Sequence, residues 1–94
     1  MTIALQDNSW EIRKAISQSG IKLCGCTEFE GAVWLTYTGA TDMVHGLGYS
    51  DEVGGKLSID DEIKRFKSEN KDVVYCQDVN EFINQIKKKQ NETN

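Results

Sequence analysis

Ninety-four residues, 38% apolar and 28% charged, fit one small globular domain with a modest core and exclude an intrinsically disordered chain. No apolar run approaches the roughly 18 residues of a membrane helix. The stretch MTIALQDNSW lacks the basic and apolar regions of a secretory signal, so a soluble, cytoplasmic protein is expected.

The net charge of -4 is unevenly spread: Glu28 to Glu62 holds eight acids against Lys56 alone, a net -7, which leaves +3 for the rest. An acidic middle disfavours nucleic-acid phosphates, whose affinity comes from Lys and Arg displacing counterions. It favours a basic partner surface or a metal ion.

Thr2 to Leu5 is a candidate first strand. Asn8-Ser9-Trp10-Glu11 has the form of a capping box, and Ile12, Ala15 and Ile16 make one stripe, predicting a helix over Ser9 to Ser19 stopped by Gly20. Ile21 to Thr27 and Ala32 to Thr38 alternate like strands. Glu28-Phe29-Glu30-Gly31 between them suggests an antiparallel hairpin.

Residues 39–57 read as a long, glycine-rich acidic loop. Connections beyond about 12–15 residues are uncommon in compact domains and usually functional or disordered. Ser58 caps a second helix, with Asp60, Asp61 and Glu62 in its first turn and Ile59, Ile63 and Phe66 as its buried stripe. Val73-Val74-Tyr75-Cys76 is a short buried strand. Asp78-Val79-Asn80-Glu81 is a third capping box, followed by Val79, Phe82, Ile83 and Ile86 at helical spacing. Residues 90–94 are a polar tail expected to fray.

The expected fold is therefore a single α+β domain over residues 1–94, an antiparallel sheet with helices on one face, in the order (β)αββ-loop-αβα. With the first strand real, the element order is that of ferredoxin-like split βαβ folds.

The chemical motifs fail on their spacing. Gly46-Leu47-Gly48-Tyr49-Ser50-Asp51 has Asp51 where a dinucleotide fingerprint needs glycine. Gly54-Gly55-Lys56-Leu57 has Leu57 where a phosphate loop needs Ser or Thr. Cys24, Cys26, Cys76 and His45 would complete a zinc set only if the fold gathered them, and their spacing is that of no zinc module. An odd cysteine count without framework spacing suits a reducing compartment. No cofactor or metal is expected, and no catalytic residue is assigned.

The function expected is a non-catalytic protein-binding module, an inhibitor or adaptor engaging a basic surface through the acidic loop and exposed aromatics. Its candidate contact residues are Trp34, Tyr49, Asp51, Glu52, Asp42 and Trp10. Trp34 qualifies because helices on one face would leave it half-exposed. The alternative is a nucleotide or anion binder, or a minor enzyme, with a pocket under the 39–57 loop lined by His45, Lys56 and Cys76. A homodimer through an open sheet face or edge strand is a third arrangement.

Overall fold

The computed structural model describes residues 2–7, 9–24 and 32–92, with Tyr49 and Val53 described by backbone alone. It is an α+β domain with four strands and three α-helices. These are β1 (Thr2–Leu5), α1 (Trp10–Gln18), β2 (Ala32–Thr38), β3 (Met43–Tyr49), α2 (Ile59–Glu69), β4 (Val73–Cys76) and α3 (Val79–Glu92). The sheet order is β3-β2-β1-β4. β2 is antiparallel to both neighbours, whereas β4 runs parallel to β1, so the sheet is mixed.

The first strand is present, and βαββαβ plus a terminal helix is the element order. The hairpin lies elsewhere than expected. β2 pairs with β1 and β3, and the described part of the expected strand, residues 21–24, contributes an isolated parallel bridge, Leu23 to Val44. That bridge is fastened by Cys24 N–H to Val44 O and Val44 N–H to Lys22 O, each 2.8 Å. Residues 25–31, including the expected hairpin loop, lie outside the described residues, as does the proposed Asn8 cap. The first helix is capped instead by Ser9, whose hydroxyl accepts from the Ile12 amide at 3.3 Å.

The long loop is the main correction. Met43 to Tyr49 forms a full strand in register with β2, from Thr38 opposite Met43 to Ala32 opposite Tyr49. Its sequence hides this, because Gly46 and Gly48 interrupt the apolar alternation. Beyond it, Asp51–Val53 makes one 3-10 turn ended by Gly54 at φ 97. The turn is closed by Asp51 N–H to Leu57 O at 2.6 Å and Gly55 N–H to Ser50 O at 2.8 Å. The described part of the expected frayed tail, residues 90–92, is helical: α3 runs to Glu92, and the Gln90 side chain bonds Asp42 at 3.0 Å.

Helices cover both faces of the sheet rather than one. Ile3, Leu5, Leu35, Tyr37, Val44 and Cys76 pack with Ile16 of α1 and with Phe82 and Ile86 of α3. On the reverse face Ala4 and Trp34 pack with Phe66 of α2. Topology requires this. β3 and β4 occupy opposite edges, so the chain joining them must cross the whole sheet. One face already carries α1 and α3, which leaves the other for α2.

Candidate functional site

β1, β3 and β4 all run in one direction, and each of the three α-helices returns against them. The N-termini of α1, α2 and α3 therefore lie at one end of the sheet, beside Tyr49 and Ser50, and their C-termini lie at the other. Each N-terminus carries the acids and caps that favour it. Ser58 Oγ accepts from the Asp61 amide at 3.2 Å. Asp78 Oδ1 accepts from the Glu81 amide at 2.8 Å, and Glu81 reaches back to the Gln77 amide at 2.9 Å.

One end thus gathers Asp7, Glu11, Asp51, Glu52, Asp60, Asp61, Asp78 and Glu81. All are exposed except Glu81, which is half-buried. The opposite end gathers Lys22, Lys67, Lys71, Lys87, Lys88 and Lys89, with Asp42, Glu69, Asp72 and Glu92 among them. Helix dipoles explain the sorting: acids are stabilised at N-termini and cations at C-termini.

The exposed apolar side chains follow the acids. Among the described residues the large exposed ones are Trp10 at 67%, Leu47 at 45% and Ile59 at 38%. Trp10 opens α1, Leu47 lies in the half of β3 nearer Tyr49, and Ile59, expected in the buried stripe of the second helix, is instead exposed at the first position of α2. The Arg13 guanidinium sits 5.9 Å from the Trp10 ring centroid, a cation–π contact.

The sequence-derived candidates are scattered. Asp51, Glu52 and Trp10 share the acidic end and are exposed. Asp42 is at the other end, in the turn after β2, at φ 52. It accepts from the Tyr37 hydroxyl at 2.5 Å and from Gln90 at 3.0 Å. These bonds hold its carboxyl below the usual carboxylate range, with Lys22 helping, while burial pushes the Tyr37 phenol up. Asp42 is therefore a fastening between α3 and the β2–β3 turn. Tyr49 is placed by its backbone as the last residue of β3, opposite Ala32.

Trp34 is not an exposed anchor. It is 1% exposed, stacked on Phe66 with centroids 4.6 Å apart, and meets Tyr75 edge-on at 5.5 Å. One-faced helix packing was the wrong premise, since α2 closes that face. The pattern Ile63-Phe66 facing Trp34 and Tyr75 was available in the sequence. What it lacked was the position of β4 at the far edge.

The residues of the alternative pocket do not meet. His45 stands opposite Thr36, on the α2 face by strand alternation, near one edge. Cys76 belongs to the α1/α3 core near the other edge. Lys56 is exposed in the turn before α2. Burial, with Glu81 and Asp78 nearby, pushes the Cys76 thiol up to about 11, which opposes a nucleophilic thiolate. Among the described residues no cluster of three or more His, Cys, Asp or Glu is arranged to hold a metal ion. Cys26 lies outside them. A shallow depression is lined by Ile3, Gln85, Lys88 and Lys89 at the lysine end, and none of His45, Lys56 and Cys76 lines it.

The sequence placed Glu62 in the first turn of α2 among exposed acids and gave no sign of its burial, at 4% exposure. Its carboxylate takes the Arg65 Nε hydrogen at 3.0 Å and lies over Gly48, whose φ is 76. A β-carbon on Gly48 would stand 2.7 Å from Glu62 Oε1. Glu62 thereby fixes α2 against β3. No described helix is long and apolar enough to cross a membrane.

Neither a protein family, a curated protein nor a solved structure matches this chain.

Proposed function

We propose that this is a non-catalytic protein-binding module, an inhibitor or adaptor acting in a reducing compartment such as the cytosol. Its basic partner docks on the acidic end of the sheet. One observation carries the reading: the exposed Trp10, Leu47 and Ile59 stand toward the end that presents Asp51, Glu52, Asp60 and Asp61. Tryptophan is enriched among the residues that anchor protein interfaces, and surrounding acids steer a basic surface and raise its approach rate. The long-loop premise no longer supports this reading, because Met43–Tyr49 of that segment is a strand and Asp51–Val53 a 3-10 turn. Support comes instead from the sorting of charge and apolar exposure along the sheet.

The test is capture of partners from native cell extract with the wild-type domain, the Trp10→Ala variant and the Asp51→Lys/Glu52→Lys variant. The proposal expects one basic partner held by wild type at low salt. It expects association to slow steeply as salt rises, and both variants to lose about tenfold or more in affinity. A partner held equally by all three, at all salt concentrations, would refute it.

A further inference from the structure

We propose that β4 is a pairing edge for a second copy of this chain, joined antiparallel about a two-fold axis through Val74. β4 ends the sheet, and among the described residues nothing pairs with its outer side. Its sequence, Val-Val-Tyr-Cys, contains no charge and no proline, the usual devices that blunt an edge. Val73, Val74 and Tyr75 are only half-buried. The edge is thus an open row of backbone donors and acceptors flanked by β-branched and aromatic side chains.

Geometry selects the occupant and the register. In a two-fold pair, opposed residues must point to the same face, so the axis passes through a residue rather than between two. An axis through Tyr75 would oppose Asp72 to the partner's Asp78, a like-charge pair. An axis through Val73 leaves Cys76 opposite the partner's Asn70. An axis through Val74 places Val73 against the partner's Tyr75, twice, and Val74 against its own copy. Such β-branched and aromatic cross-strand pairs are favourable.

Charge agrees with this register. The Cys76 end of β4 carries Asp78 and Glu81. The Val73 end carries Lys71, with Lys67 held 5.7 Å from the Tyr75 ring centroid. Antiparallel pairing sets Lys71 opposite the partner's Gln77, next to the partner's Asp78, on both sides of the axis. Asp72 stands opposite the partner's Cys76, and Glu69 on the lysine side is paired with Arg65. A parallel or head-to-head arrangement would instead oppose like ends. The contact is short, because β4 has 4 residues, so the dimer belongs with the small, transient interfaces.

Sedimentation equilibrium over a concentration series, with amide hydrogen exchange at dilute and concentrated extremes, tests this. The expected result is a reversible shift from the 10.6 kDa chain toward twice that mass. With it, exchange within Val73–Cys76 should slow at high concentration. The exposed Lys71→Glu substitution, which leaves the core untouched, should raise the dissociation constant at least tenfold at low salt. A protein that stays monomeric up to about 1 mM, where a millimolar dimer would be readily seen, overturns the proposal. So does a dimer that leaves Val73–Cys76 exchange unchanged.

Discussion

The two faces of the sheet are built on different physical plans. The face under α1 and α3 is broad and aliphatic, with Ile3, Leu5, Ile16, Leu35, Val44, Phe82 and Ile86 interlocked around Tyr37. The face under α2 is narrow and aromatic, with Trp34, Phe66 and Tyr75 within 6.3 Å of one another and Ala4 beneath. Many small contacts share the load on the first face, whereas three rings carry the second. A small domain can thus close a second face with a single helix if the rings are large. It then has no tryptophan left on that face for binding.

The largest effect expected from this contrast is at Trp34. Trp34→Ala should cost about 3–5 kcal/mol, since the cavity opens where few neighbours can collapse. Urea unfolding measures it, and a loss below about 1 kcal/mol would show that the rings do not hold α2 in place. Gly48→Ala comes next, at about 1–3 kcal/mol, because it strains a positive φ and drives a methyl into the Glu62 carboxylate. If Gly48→Ala is neutral, Glu62 does not pin α2 to β3.

A smaller, pH-dependent effect belongs to the broad face. The Cys76 thiol is pushed from 9.0 up to about 11, so the folded chain holds that proton more tightly than the unfolded chain. The stability from this shift is complete below pH 9 and is lost between pH 9 and about 11. Thermal unfolding of wild type and Cys76→Ala should therefore converge as pH rises through that window. Curves that stay parallel would remove the burial argument.

The sequence revealed all three α-helices because their signals are local. Ser58 and Asp78 cap where the residue types said they would, and the stripes Ile63-Phe66 and Phe82-Ile86 face the sheet. What it could not reveal was non-local. β3 is interrupted by two glycines, and its strand character comes from pairing with β2 rather than from its own residues. With β3 unseen, Ile21 to Thr27 took its place in the expected hairpin, and α2 had no reason to change faces. The misplacement of Trp34 followed from that omission and from the unseen place of β4 at the far edge. Trp10 was legible, because it falls off the Ile12-Ile16 stripe. The gathering of acids at one end was not, because it depends on strand direction.

The central claim is that α2 seals one indole in the core and leaves the other at the acidic end as the available anchor. Acrylamide quenching of tryptophan fluorescence in two single-tryptophan variants tests it directly, because a neutral quencher reads exposure without regard to the surrounding acids. Trp34→Phe keeps an aromatic ring in the stack and removes a buried indole N–H that has no hydrogen-bond partner among the described residues, so it should fold and report Trp10 alone. Trp10→Phe reports Trp34. The expected result is strong quenching and red-shifted emission from Trp10, with almost no quenching and blue-shifted emission from Trp34. Equal quenching of the two, or a shielded Trp10, would contradict the account.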